Sequence, residues 1–79
     1  MNTSRYRTLD VRPLFKRNEE PFSAIRKVVD SLAAGQGLLL ITPFLPSPSI
    51  ELLQNEGFHA QPERRVDGAW QTAFTRQIT

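Results

Sequence analysis

The chain has 79 residues, ten Lys+Arg against eight Asp+Glu, and no cysteine. That length holds one small domain, expected over 1–79 with an ordered core of about 6–78. The absence of cysteine excludes a disulfide scaffold, a zinc finger, a redox dithiol and an iron–sulfur site. No apolar run approaches the ~20 residues that span a bilayer, and Met1-Asn2-Thr3-Ser4-Arg5 lacks a signal-peptide core, so a cytosolic setting is expected.

In chain order, Tyr6-Arg7-Thr8-Leu9-Asp10-Val11 alternates and predicts a first strand with Leu9 and Val11 on one face. Arg12 to Glu20, with Pro13 inside it, reads as a polar connection. Phe22, Ile25, Val28, Val29 and Leu32 then recur at helical steps. Glu19 and Glu20 suit the positive end of that helix, Pro21 its first turn and Gly35 its left-handed stop.

Leu38 to Thr42 is short and apolar and predicts a buried strand. A loop with three prolines follows, Pro43-Phe44-Leu45-Pro46-Ser47-Pro48. Ser47 as N-cap and Pro48 at the first helical position predict a second helix through Glu56, with Ile50 and Leu53 inward. Phe58 to Val66 predicts a third strand with Phe58, Ala60 and Val66 on one side. Asp67-Gly68 predicts a type I′ hairpin, and Ala69 to Ile78 returns with Trp70, Phe74 and Ile78 sharing a face.

The expected fold is an α/β (α+β) two-layer sandwich of order βαβαββ. The first helix is a crossover, so strands one and two are expected to be parallel. Pro62 cannot donate to a ladder, which puts strand three at an edge. The tight hairpin places strand four beside it. The sheet order is therefore 1-2-4-3, with two helices on one face. Four consecutive apolar residues in strand two leave two on the open face, among Thr8, Gln71 and Thr75. A solvated face is expected, with a weak homodimer through it as the alternative to a monomer.

The basic residues Arg5, Arg7, Arg12, Lys16 and Arg17 cluster near the N-terminus and form the alternative nucleic-acid candidate. Only Tyr6 and Phe15 interleave and acidic residues interrupt, so a solvated face is the favoured reading. His59 has no second ligand nearby, and Glu51 and Glu56 do not converge. Neither a metal site, a cofactor site nor a catalytic constellation is therefore expected.

The order βαβαββ with Leu9-Asp10-Val11-Arg12-Pro13-Leu14 resembles the TusA/SirA-like superfamily of sulfur-carrier domains, and within it an uncharacterised family. The likeness continues through Pro21 to Ile25, the glycine turn at Ala34-Gly35-Gln36, the proline loop, Gly57-Phe58 and Asp67-Gly68-Ala69-Trp70. It implies a carrier cysteine between the first strand and first helix, where a thiolate gains from the helix dipole. Aligned on Pro21, that position is Asn18 and its neighbour is Glu19, neither of which holds a persulfide. Relatives with a His-Asp pair in the proline loop imply a metal, but Phe44 and Leu45 stand there. The resemblance further implies a bacterial setting and a link to hemerythrin-like and anaerobic respiratory functions.

The expected function is thus a non-catalytic domain that binds an unidentified protein. Its candidate surface is Arg17, Asn18, Glu19, Glu20, Pro21 and Phe22 with Pro43, Phe44, Leu45, Pro46, Ser47 and Pro48. Simple helix capping competes with docking for Asn18, Glu19 and Glu20, and core plugging competes for Phe44. RNA binding through the basic cluster is one alternative. A small anion or ligand at the Ser47-Pro48-Ser49 helix end is the other.

Overall fold

The computed structural model describes residues 5–76. Its elements are β1 (Tyr6–Asp10), α1 (Arg12–Lys16), α2 (Phe22–Asp30), β2 (Gly37–Thr42), α3 (Ser47–Asn55), β3 (Phe58–Arg64) and β4 (Trp70–Arg76). The four strands form one mixed sheet in the order β1-β2-β4-β3, as expected. β1 and β2 are parallel, and both β2–β4 and β3–β4 are antiparallel. Pro62 lies on β3, which pairs with β4 alone.

One face of the sheet carries the core. Leu38 and Leu40 of β2, Phe58 of β3 and Phe74 of β4 pack with Ile25 and Val29 of α2 and Leu53 of α3. Val11, fully buried, joins them from the end of β1. The Arg26 guanidinium meets the Glu56 carboxylate at 2.5 Å and ties α2 to the end of α3.

Several local expectations are corrected. Arg12 to Glu20 is not simply a connection, because it contains the extra helix α1, making three helices among the described residues. Leu14 and Phe15 pack against the core, and that burial stabilises a helix too short to persist alone. α2 ends at Asp30 rather than near Gly35, which instead turns the α2–β2 connection at φ +79°. Ser47 is not a side-chain cap. Pro46 occupies the N-cap, and its carbonyl accepts from the Ile50 N–H at 2.9 Å.

The β3–β4 turn is not type I′, since Asp67 has negative φ and Gly68 alone in the loop is left-handed, at +89°. The Gly68 N–H donates to the Arg65 carbonyl (3.0 Å) and the Arg65 N–H to the Ala69 carbonyl (2.8 Å). This is a three-residue loop with glycine at its left-handed position. β3 therefore stops at Arg64, and Val66 is fully exposed at the tip rather than inward. Ile78 lies outside the described residues.

On the opposite face, Ile41 is only 7% exposed. In register it sits between Asp10 and Gln71. Arg12 binds Asp10 and reaches Asp67, Arg65 also contacts Asp67, and Arg65 donates to Gln71. This polar chain spans the strands beside Ile41. Leu39 stays half-buried next to Ala73 over a shallow depression.

Candidate interaction site

β1 and β2 run parallel as neighbours, so the segments leaving both strands emerge at the same end of the sheet. The α1–α2 junction and the proline loop meet there.

At the junction, α1 closes with a Schellman motif. Asn18 is left-handed at φ +57°, its N–H donates to the Phe15 carbonyl (3.1 Å), and the Glu19 N–H donates to the Leu14 carbonyl (2.8 Å). Asparagine tolerates this conformation better than most side chains. Asn18 therefore terminates α1 rather than capping α2. Glu19 pairs with Arg17 at 3.1 Å, and that guanidinium holds its carboxyl below the usual range. Glu20 accepts from the Ser23 N–H (3.0 Å) and hydroxyl (2.8 Å), satisfying donors at the start of α2 with the chain's own carboxylate. Pro21 is half-buried, whereas Phe22 is 42% exposed.

In the loop, the Thr42 hydroxyl donates to the Phe44 carbonyl at 2.6 Å and the Ser47 N–H to the Leu45 carbonyl at 2.9 Å. Pro46 is buried, and Pro43, Ser47 and Pro48 are exposed. Phe44 at 51% and Leu45 at 40% exposure are not core plugs. Phe44 instead meets Phe15 edge to face.

Between the two segments lies a cavity of about 190 Å³. Pro21 and Phe22 line it from the junction, and Phe44, Pro46 and Pro48 from the loop. Both candidate regions thus contribute to one apolar site. Val11, Phe15, Ile25 and Thr42 complete the wall and were missed at the sequence level, whereas Ser49, which also lines it, belongs to the Ser47-Pro48-Ser49 helix end read from sequence as the small-ligand alternative. Pro13 in the first turn of α1, followed by the apolar pair Leu14-Phe15, was the available signal for part of it.

The basic cluster is drawn largely into contacts within the chain. Arg12 pairs with Asp10 at 2.7 Å and with Asp67 at 3.2 Å, Arg17 with Glu19, and Arg7 donates to the Ser31 hydroxyl. Arg5 and Lys16 are exposed. Hydrogen bonding from Arg12 lowers the Asp10 pKa, and the Ala69 N–H with Arg65 and Arg12 lowers that of Asp67. His59 is exposed on β3. Trp70 is half-buried and receives the Arg64 guanidinium 5.9 Å from its ring centre. Among the described residues, no group of three or more acidic or histidine side chains is placed to hold a metal ion. Nor is any described helix long and apolar enough to cross a membrane.

The fold and site define a small α+β domain with an apolar cleft at the shared end of two parallel strands. Residues 8–76 match the family described as uncharacterized conserved protein (DUF2249), and the chain belongs to that family. No curated protein and no solved structure matches the chain.

Proposed function

We propose that the chain is a non-catalytic, TusA-like accessory domain that binds another protein through the cleft between the α1–α2 junction and the proline loop. The observation that carries this reading is the exposure of Phe22 and Phe44 on the wall of one apolar cavity, with exposed Leu45 next to Phe44 in the loop. Exposed aromatic and aliphatic groups on proline-restricted backbone lose little entropy on binding, which favours their use as anchors.

The carrier likeness is supported by strand order and by the chain reversal at Asn18, the position matched to the carrier cysteine. With no thiol in the chain, persulfide transfer has no acceptor atom, and recognition is the role left to that end of the fold. RNA binding is less favoured, because the charges of Arg12 and Arg17 are matched by Asp10, Asp67 and Glu19.

Crosslinking and affinity capture from native cells, comparing wild type with Phe44→Ser, test the proposal. Loss of a specifically captured protein on substitution supports it. Identical capture by a Phe44→Ser chain with unchanged circular dichroism overturns it.

A further inference from the structure

The two edges of the sheet are not alike. β1 and β3 each pair with one neighbour only. On β3 the bond from the Arg65 N–H to the Ala69 carbonyl fixes which residues face β4, and Phe58, Ala60, Pro62 and Arg64 turn their backbone groups outward. Pro62 has no N–H and breaks that row near its middle, a common protection of an exposed edge. On β1 the Val11 N–H donates to the Ile41 carbonyl (3.0 Å), and the Arg5 carbonyl accepts from the Gly37 N–H (2.7 Å). Odd-numbered residues therefore face β2, and the N–H and carbonyl groups of Thr8 and Asp10 point away from the sheet. Among the described residues these four groups have no partner. β1 carries no proline, its register is unbroken, and Thr8 is exposed.

We infer that β1 is a pairing edge for β1 of a second copy of this chain, joined antiparallel about a two-fold axis through Thr8. Register and charge select this occupant. Side chains directly opposite across an antiparallel seam share a face, so a self-paired β1 must be centred on one of its own residues. Centring on Arg7 or Asp10 sets like charges face to face, which is destabilising. Centring on Leu9 leaves Tyr6 and Arg7 outside the seam. Centring on Thr8 pairs the whole strand: Thr8 exchanges N–H and carbonyl with its counterpart, and Arg7 lies opposite Leu9 of the second copy. Leu9 packs on the core yet is only half-buried, and the aliphatic stem of Arg7 flanks it from across the seam. The basic half of each strand, Arg5 and Arg7, then runs beside the half of the other that ends in Asp10. One short seam is small beside the ~1,200 Å² of a stable interface, so the dimer is concentration-dependent. This edge lies apart from the cleft and goes beyond the protein-binding proposal.

Because the chain has no cysteine, a single introduced thiol reports on the seam. Thr8→Cys puts that thiol on the axis, where the Cα atoms of an opposed hydrogen-bonded pair lie about 5.5 Å apart, within the disulfide range. In a glutathione redox buffer the full Thr8→Cys chain should form at least about tenfold more disulfide-linked dimer than Gln61→Cys, an exposed site on β3. Sedimentation equilibrium of the wild type should show monomer passing to dimer as concentration rises. Thr8→Pro, which removes an outward N–H, should abolish that passage. Amide exchange at Thr8 and Asp10 of the wild type should slow over the same concentration range, a readout that stands even where Thr8→Pro folds poorly. Equal crosslinking by the two thiol variants overturns the inference. So does a wild-type chain that stays monomeric up to about 1 mM, which leaves the edge to an extended strand of another protein. A dimer whose amide shifts centre on Leu39 and Ala73 of the open sheet face overturns it as well. None of these readouts depends on what Phe44→Ser does to protein capture.

Discussion

The rings of Phe15 and Phe44 meet edge to face, with centroids 5.0 Å apart and planes at 76°. This contact joins α1 to the proline loop and forms one wall of the cavity. Because Phe44 is half exposed, its truncation to alanine removes an aromatic pair rather than a core residue. Phe44→Ala should cost about 0.5–1.5 kcal/mol, well below the ~3–5 kcal/mol of a buried phenylalanine. Urea unfolding at constant m-value measures it, and a loss in the higher range would put Phe44 in the core.

Asn18 adopts φ +57° as the left-handed residue that ends α1. Asn18→Ala should lower stability by about 1 kcal/mol, since a Cβ without a local polar partner is penalised there. Asn18→Gly should match or exceed the wild type. Denaturant midpoints of the three chains distinguish this ordering from one in which Asn18 acts only through solvent-facing contacts.

Four carboxylates have folded pKa values below their ordinary range: Asp10 and Glu19 through Arg12 and Arg17, Asp67 chiefly through the Ala69 N–H, and Glu56 through Arg26. A lowered folded pKa means that the unfolded chain takes up protons first as pH falls. Their contribution is present above the ordinary carboxylate range of about 4 and is lost as pH drops through the folded values. Urea midpoints should therefore be steady at neutral pH and decline below about pH 4. Asp10→Asn should make that decline shallower while lowering stability at pH 7.

Thr72 is fully buried on β4, opposite Leu40 and Pro62, and its hydroxyl has no partner among the described residues. Valine keeps the shape and removes the unpaired group. Thr72→Val should raise stability by about 1 kcal/mol. An unchanged or lower thermal midpoint would mean that the hydroxyl is satisfied in solution.

Gly37 begins β2 where the backbone passes close to its neighbours. A Cβ there would lie 2.5 Å from the Phe74 carbonyl oxygen and 2.9 Å from the Tyr6 ring. The oxygen belongs to a central paired strand and cannot move cheaply. Gly37→Ala should cost at least the ~1–3 kcal/mol typical of overpacking, read from the same urea titration.

Sequence periodicity and turn chemistry were enough for the sheet. Pro62 pointed to an edge, the close hairpin paired β3 with β4, and the crossover through α2 made β1 and β2 parallel, leaving one sheet order. The hairpin's detailed turn was less legible, because Asp67-Gly68 serves either a two-residue loop or the three-residue loop found here. α1 reads as a polar connection, its one signal being Pro13 before the apolar pair Leu14-Phe15. Five residues carry too little propensity to announce a helix, and only the packing of Leu14 and Phe15 against the core holds them.

The two halves of the candidate site were visible as a glutamate-proline junction and a triple-proline loop, since prolines and apolar residues in loops stand out along a chain. Their meeting was not visible. Residues more than twenty positions apart come together because parallel neighbouring strands release their following segments at the same sheet end. Ser49 shows the same division: its place beside Pro48 follows from sequence, but its burial at the cavity wall depends on how α3 packs. Local order is written in side-chain preference and backbone restriction, whereas distant contacts arise only when the sheet is assembled.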